Sequence, residues 1–269
     1  MTRTIFLTLL LSIAGAGAAS AQHSLEKIWE TDTVNFRFPE SVLYDAVSSS
    51  LYVSCMGPGK IARLGTDGKL IAGDWVTGLH ANKGSALYKG FLYTAETSTI
   101  AVIDVRNATV IKRIQVEGAV MLNDLAVDAW GNLYTTDTRA GKVYKISGDK
   151  ATLYLENLPG ANGLLTVNSD LYVLTSTSVE KFDSVKTVTH IATGLESGLD
   201  GIVMLAENEF IISNYKGILY YLNTDGSRQV LLDSRTNGIM ANDISFDSKT
   251  STLFVPSYST SRITAYKVR

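Results

Sequence analysis

Hydrophobic positions along this chain recur in units of about 40 residues, and each unit predicts a small antiparallel sheet. In residues 121–147, one strand leads to a turn at Trp130-Gly131-Asn132, a second strand begins at Leu133, and a third covers Lys142 to Ile146. Alternating apolar and polar positions bounded by Gly and Asn are typical of short strands joined by tight turns. A single sheet of this kind has two open edges and cannot bury its faces, so the units must pack against one another.

A pair of hydrophobic residues opens the second strand of every unit. The pairs are Leu51-Tyr52, Leu92-Tyr93, Leu133-Tyr134, Leu171-Tyr172, Phe210-Ile211 and Leu253-Phe254. Their first members are 41, 41, 38, 39 and 43 residues apart. A third strand follows each pair, predicted at Ile61 to Leu64, Ile100 to Ile103, Val143 to Ile146, Val179 to Phe182, Ile218 to Leu222 and Ile263 to Tyr266. Six such units predict an all-β fold, a six-bladed β-propeller of four-stranded antiparallel blades.

The two ends of the chain complement each other in this fold. The last unit has strands predicted near Asp243 to Phe246, Leu253 to Val255 and Ile263 to Val268, and it lacks a fourth, outer strand. Residues 25–31 alternate apolar and polar side chains and precede the first unit, so they can supply that strand. Pairing both termini in the last blade closes the ring, removes an open edge and is expected to cover the apolar faces of Leu25, Ile28 and Trp29.

The N-terminal segment predicts export. A short basic start is followed by an apolar core from Ile5 to about Ala14 and by the small residues Ala19-Ser20-Ala21, which form an Ala-x-Ala cleavage pattern. The apolar run is too short for a membrane anchor. We expect a secretory signal peptide at residues 1–21, a single propeller domain at residues 22–269, and a periplasmic or secreted location.

Composition argues against several other classes. Without Arg3, 23 basic residues stand against 26 acidic ones, and nothing resembles a basic groove interleaved with aromatic residues, so a nucleic-acid partner is not expected. Cys55 is the sole cysteine, which leaves no intrachain disulfide. Its place in the second strand of the first unit predicts a buried small residue.

The start of each channel-lining strand carries an oxygen-bearing side chain. Reading back about ten positions from each hydrophobic pair gives Glu40, Asn82, Asn123, Asn162, Asp200 and Asn242, all carboxylates or carboxamides. Oxygen ligands converging from a ring suit a hard cation such as Ca²⁺, and they suit Zn²⁺ poorly. Each position taken alone is also explained as a turn former, and a repeat can copy a structural residue six times.

Four of these segments resemble a known family. They are Phe38-Pro39-Glu40-Ser41-Val42, Leu122-Asn123-Asp124, Ala161-Asn162-Gly163-Leu164 and Leu199-Asp200-Gly201. They are similar to the metal-binding segments of the senescence-marker-protein/gluconolactonase family, and to those of the wider paraoxonase-like lactonases. The resemblance implies a six-bladed propeller with one divalent cation, most often Ca²⁺, bound by Glu40, Asn162 and Asp200. Asn123 would be a further ligand or would contact the substrate through water.

Two positions bear on the substrate. Sugar-lactone hydrolases of the family usually carry Arg where this chain has Met121, so a more hydrophobic lactone or ester would suit the site better than gluconolactone. Lys83 lies where the second unit reaches the channel. It can position an acyl oxygen, or it can form an ion pair with Glu40 or Asp200.

Together these features predict an exported metal-dependent hydrolase of lactones or related small-molecule esters. The cation would stabilise the developing oxyanion, and Asp200, with Glu40 second, would act as the general base. No Gly-x-Ser-x-Gly motif suggests a serine hydrolase. A non-catalytic binding or scaffold propeller is the alternative, because a fold alone does not fix function. A lyase or synthase similar to strictosidine synthase is a third option, but such enzymes lack this ring of carboxylates and amides.

Overall fold

The computed structural model describes residues 23–269, which form six four-stranded antiparallel sheets. The first strands of adjacent sheets contact one another all the way around, so the sheets are the blades of a closed ring. The predicted six-bladed β-propeller is therefore confirmed. Within this part of the chain the helical content is a short 3-10 helix at Arg235–Asn237.

Each blade has its first strand at the channel and its last strand at the outside. Blade 1 contains β2 (Pro39–Asp45), β3 (Ser50–Cys55), β4 (Lys60–Gly65) and β5 (Leu70–Thr77), and blade 2 contains β6 (Ser85–Tyr88), β7 (Phe91–Ala95), β8 (Thr99–Asp104) and β9 (Thr109–Gln115). Blade 3 contains β10 (Leu122–Val127), β11 (Leu133–Asp137), β12 (Lys142–Ser147) and β13 (Lys150–Leu155), and blade 4 contains β14 (Leu164–Val167), β15 (Asp170–Leu174), β16 (Val179–Phe182) and β17 (Val188–Ala192). Blade 5 contains β18 (Leu199–Ala206), β19 (Glu209–Asn214), β20 (Ile218–Asn223) and β21 (Arg228–Asp233), and blade 6 contains β22 (Ser245–Asp247), β23 (Thr252–Ser257), β24 (Arg262–Val268) and β1 (Leu25–Glu30).

The N-terminal strand closes the ring as predicted. β1 pairs antiparallel with β24, with Leu25 opposite Val268 and Glu30 opposite Thr264. Two backbone hydrogen bonds of 3.0 and 3.1 Å join Ser24 and Arg269 beyond the ends of these strands. Trp29 packs on Phe254 of blade 6.

The expectation that Ile28 belongs to the same buried face is wrong. The pairing register shifts between Lys27 and Trp29, so the strand does not alternate regularly there. Ile28 is half exposed as a result, while Trp29 faces the interior and donates its indole N–H to the Thr66 carbonyl oxygen at 3.0 Å. A bulge of this kind changes which side chains face inward.

The core lies between neighbouring blades. The hydrophobic pairs that opened the second strands are almost entirely buried, with Leu51, Leu92 and Leu253 fully inaccessible to water. Cys55 is also fully buried, and burial raises the pKa of its thiol to about 12. A thiol in this environment is not a nucleophile at neutral pH, as the sequence indicated.

The predicted signal peptide lies outside the described residues. In residues 23–269, no helix is long and apolar enough to cross a membrane.

Candidate functional site

The starts of the six channel-lining strands meet at a cavity of about 270 Å³ on one face of the propeller. The cavity is lined by Glu40, Met56, Lys83, Met121, Asn123, Thr138, Asn162, Asp200, Tyr215, Met240, Asn242 and Tyr258. It therefore brings together every site residue that the sequence predicted except Asn82, together with an apolar wall that sequence reasoning did not find. The histidines lie elsewhere, each near a different carboxylate: Glu209, Glu96 and Glu180.

In blade 2 the channel position belongs to Lys83, and the prediction of Asn82 in the ring is wrong. The Lys83 N–H donates to the Ala95 carbonyl oxygen, as the Asn162 N–H of blade 4 donates to that of Leu174. Asn82 is fully buried beside the channel and donates its amide to the Lys60 carbonyl oxygen at 3.0 Å. Successive side chains of a strand point in opposite directions. The equivalent position in blade 2 is one residue later than the spacing predicted, so Asn82 points away from the ring.

Glu40 and Lys83 form an ion pair at the centre of the cavity. Lys83 Nζ lies 3.1 Å from Glu40 Oε1, and both side chains are largely buried. Burial raises the pKa of Glu40, and the nearby ammonium opposes that rise. Burial acts to lower the pKa of Lys83, but the charges of Glu40 and Asp200 outweigh it and the pKa is raised. Of the two roles considered for Lys83, the structure shows the ion pair with Glu40.

Asp200 is held in place by amides from the two adjacent blades. Its Oδ1 accepts a hydrogen bond from Asn162 Nδ2 at 2.9 Å, and its Oδ2 accepts one from Asn242 Nδ2 at 3.2 Å. The side chain is buried, and burial together with the charges of Glu40 and Asp243 raises its pKa well above the usual value. The carboxylate is therefore fixed in orientation and favours binding a proton.

The asparagines differ in what they leave free for a ligand. Asn162 Nδ2 donates to both Asp200 Oδ1 and the Leu199 carbonyl oxygen, so its amide oxygen remains for a ligand. Asn123 likewise uses Nδ2 on Thr138 Oγ1 at 2.9 Å. Asn242 uses both ends, because its Oδ1 accepts the Tyr258 N–H at 3.0 Å. Asn242 is thus a residue that positions Asp200.

The donor set fits a hard cation. Glu40 Oε2 is buried and has no hydrogen-bond partner anywhere in residues 23–269. An unpaired buried carboxylate oxygen is costly, and a bound cation would satisfy it. With Asp200 and the amide oxygens of Asn123 and Asn162, the site offers carboxylate and carboxamide oxygens, which Ca²⁺ prefers. Among the described residues no cluster of three or more His, Cys, Asp or Glu is arranged for a metal, so the amides would have to complete the set.

Two further carboxylates, missed by the sequence analysis, lie beneath this ring. Asp124 is buried and accepts hydrogen bonds from the backbone N–H groups of Leu125 and Leu164, each at 2.7 Å. Asp243 accepts one from Ser41 Oγ at 2.6 Å. Burial and neighbouring carboxylates raise the pKa of Asp124 to about 8 and that of Asp243 well above its usual value.

Glycines make room for this second layer. A Cβ atom on Gly84 would lie 2.3 Å from Asp124 Oδ1, and one on Gly201 would lie 2.5 Å from Asp243 Oδ1. Each glycine therefore allows the carboxylate of the next blade to reach the channel. The signal was present in the sequence, since Asn-Asp occurs in blades 3 and 6, where blades 2, 4 and 5 have Gly and blade 1 has Ser41 at the second position.

The channel thus holds four acidic side chains and few basic side chains to neutralise them. Glu40, Asp124, Asp200 and Asp243 share it, and Lys83 is the basic side chain among the described residues that line the cavity. Mutual repulsion at low dielectric disfavours ionisation of all four. A divalent cation would relieve that repulsion.

Comparisons with known proteins agree with the fold. No protein-family model and no curated protein sequence matches the chain. Among solved structures, a gluconolactonase from Xanthomonas campestris is 19% identical with a TM-score of 0.72, covering 96% of this chain and 94% of that one. A luciferin-regenerating enzyme is 17% identical with a TM-score of 0.69, covering 92% and 95%. Virginiamycin B lyase from Staphylococcus aureus is 12% identical with a TM-score of 0.68, covering 91% and 99%.

These similarities extend over nearly the whole of each chain, but the sequence identity is low. They therefore show a shared fold. They confirm, at the level of the fold, the resemblance to gluconolactonases that the channel motifs indicated. The chain is a six-bladed β-propeller of the same architecture as gluconolactonases and a luciferin-regenerating enzyme.

Proposed function

We propose that this protein is an exported hydrolase of lactones or related esters that depends on one divalent cation, Ca²⁺ in the first instance. The observation that carries the proposal is the convergence of two buried carboxylates, Glu40 and Asp200, with the amide oxygens of Asn123 and Asn162 in one open cavity. A scaffold has no need of buried carboxylates at an accessible channel mouth, because each costs folding free energy. The gluconolactonase neighbours support the same reaction class.

The residues divide into those that would hold the cation and those that act on substrate. Glu40, Asn162 and Asp200 would hold it, with Asn123 as a further ligand or a substrate contact. When bound, the cation would supply positive charge that polarises the carbonyl group and stabilises the developing oxyanion. The protein contributes the fixed positions of these oxygens, which limits reorganisation during the reaction.

Asp200 is the proposed general base. Burial and the neighbouring carboxylates raise the pKa of Asp200, which makes it a stronger proton acceptor towards the attacking water than an exposed aspartate. The amides of Asn162 and Asn242 keep its oxygens pointed in fixed directions, and each carboxylate oxygen retains a further lone pair. Lys83 pairs with Glu40 and also lines the cavity, so its ammonium group would position a substrate oxygen there.

A substrate panel with and without chelator tests the proposal. Aliphatic lactones, sugar lactones and aryl esters are incubated with the purified mature protein, and Ca²⁺, Mg²⁺, Mn²⁺ or Zn²⁺ is restored after chelation. We expect hydrolysis of at least one lactone or ester, lost with the chelator and recovered with Ca²⁺. Titration calorimetry on the same samples measures cation binding independently of turnover.

Each alternative has its own outcome. Activity that survives chelation contradicts the role of the cation. Cation binding without turnover of any substrate would favour the binding or scaffold module. A product that contains a new alkene, without uptake of oxygen from ¹⁸O-labelled water, would indicate a lyase and overturn hydrolysis. Export is tested separately by sequencing the N-terminus of protein recovered outside the cytoplasm, which should begin near Gln22.

A further inference from the structure

Several apolar side chains line the wall of the cavity. Of the four methionines in residues 23–269, three line the cavity: Met56, Met121 and Met240. Tyr215 and Tyr258 join them. Methionine is flexible and polarisable, and its recruitment to a shared surface is typical of sites that adapt to different apolar ligands.

The apolar residues form a continuous arc across blades 5, 6 and 1. Tyr215 follows the second strand of blade 5, Met240 and Tyr258 belong to loops of blade 6, and Met56 follows the second strand of blade 1. Blade 4, by contrast, contributes the amide of Asn162. We call these four residues and Phe38 the apolar arc. Glu40 and Asp200 are buried, whereas every residue of the apolar arc is at least partly exposed, so a ligand that enters from solvent meets the arc.

Phe38 extends the apolar arc by stacking on the cavity residue Tyr258, and it does so in a strained conformation. Its backbone has φ of 56°, which is unfavourable for a bulky residue, and all the more before Pro39. Its ring stacks on Tyr258 with the ring centroids 4.8 Å apart, and it remains 37% exposed. A Cβ on Gly57 would lie 2.4 Å from Phe38 Cδ2, so the chain leaves room for this ring. Strain kept at an exposed residue whose ring contacts a cavity residue points to a ligand contact.

We infer that the substrate is a lactone or ester with an apolar arm, an alkyl chain or an aromatic ring, that lies along the apolar arc while its carbonyl group faces Glu40 and Asp200. This inference rests on the proposed function and names its substrate class. The arm gains affinity by removing apolar surface from water, and the thioethers adjust to its shape. Polyhydroxylated lactones would leave hydroxyl groups without partners against Met121 and Met240.

A ligand series that is not hydrolysed separates this inference from catalysis. We would titrate γ-lactams carrying no substituent, a propyl chain or a hexyl chain into the wild-type protein by calorimetry, with Ca²⁺ and after chelation. Affinity should rise by about fourfold for each methylene that becomes buried. The double variant Met56→Gln, Met240→Gln should reduce the increase of affinity with chain length. The control Met204→Gln should leave that increase unchanged, because Met204 lies on β18 away from the cavity and is 42% exposed.

Phe38→Gly provides a second variant that does not endanger folding. Glycine tolerates the positive φ, so the protein should stay folded while the hexyl lactam binds more weakly and the unsubstituted lactam binds as before. Equal affinity across the series in the wild-type protein, or equal chain-length dependence in all variants, overturns the inference. If esters are hydrolysed but lactam affinity does not depend on chain length, the proposed hydrolase is supported and the role of the apolar arc is contradicted. If affinity rises with chain length but no ester is hydrolysed, the role of the apolar arc is supported and the hydrolase is contradicted.

Discussion

Lys83 Nζ lies 3.1 Å from Glu40 Oε1 and gives the buried carboxylate its counter-charge. Breaking a buried ion pair by removing one partner leaves an uncompensated charge and costs about 3 kcal/mol or more. Lys83→Met should therefore lower the free energy of unfolding of the chelated protein by about 3 kcal/mol, measured by urea denaturation at neutral pH. Added Ca²⁺ should restore much of it.

The matched control is Lys112→Met, which removes an exposed ion pair with Asp149. Exposed pairs contribute about 1 kcal/mol or less. Similar losses in both variants would show that the Glu40–Lys83 pair has no special electrostatic role.

The proposed general base gives a second prediction. Asp200→Asn keeps the size of the side chain and one oxygen ligand but cannot accept a proton. Turnover of the best substrate should fall by about 10²–10⁴-fold. Cation affinity, measured by calorimetry, should fall less. Asp149→Asn on the exposed surface serves as the control and should leave turnover unchanged. Wild-type rates in Asp200→Asn would place the base elsewhere.

The buried carboxylates make the stability of the cation-free protein depend on pH. The pKa of Asp124 is raised to about 8, and those of Asp200 and Asp243 are raised well above their usual values. Between pH 4 and 8 the folded protein therefore holds more protons than the unfolded chain, whose Asp groups titrate near pH 4. By linkage the free energy of unfolding should fall as pH rises through this window.

Urea denaturation of chelated protein at pH 5 and pH 8 checks this dependence. Asp124→Asn should reduce the difference between the two pH values, and saturating Ca²⁺ should reduce it further. A protein that is more stable at pH 8 than at pH 5 after chelation would contradict the expected sign.

The closing strand gives a prediction about stability alone. Trp29 packs on Phe254 and donates a hydrogen bond to the Thr66 carbonyl oxygen, so Trp29→Ala should cost about 3 kcal/mol. The neighbouring Ile28 is 50% exposed, and Ile28→Ala should cost much less. Thermal melting of the two variants compares them. Equal melting temperatures would mean that β1 contributes little to ring closure.

Met121 offers a test of substrate preference. It lines the cavity without hydrogen-bond donors, at the position where the resemblance of the channel motifs to sugar-lactone hydrolases implies Arg. Met121→Arg should leave cation affinity near the wild-type value and shift the ratio of kcat/KM toward sugar lactones over aliphatic ones. No change in that ratio would show that this position does not contact the substrate.

The sequence by itself determined the architecture. Hydrophobic pairs spaced by 38 to 43 residues predicted each blade, because a strand side chain alternates between two faces and the buried face must be apolar. Alternation in residues 25–31 also predicted ring closure. The ring residues Glu40, Asn123, Asn162 and Asp200 were found because equivalent positions of a repeat occupy equivalent places around an axis.

Only the tertiary structure decided what each side chain does there. Repeat spacing could not decide whether Asn82 or Lys83 faces the channel. A shift of one residue in the loop before β6 reverses which of the two side chains points inward. Nor could it show that Asp124 and Asp243 lie beneath the ring, or that Met56, Met240 and Tyr258 meet on one side of it. Those relationships join residues far apart in the chain, and they depend on how blades pack around a common axis rather than on any local pattern.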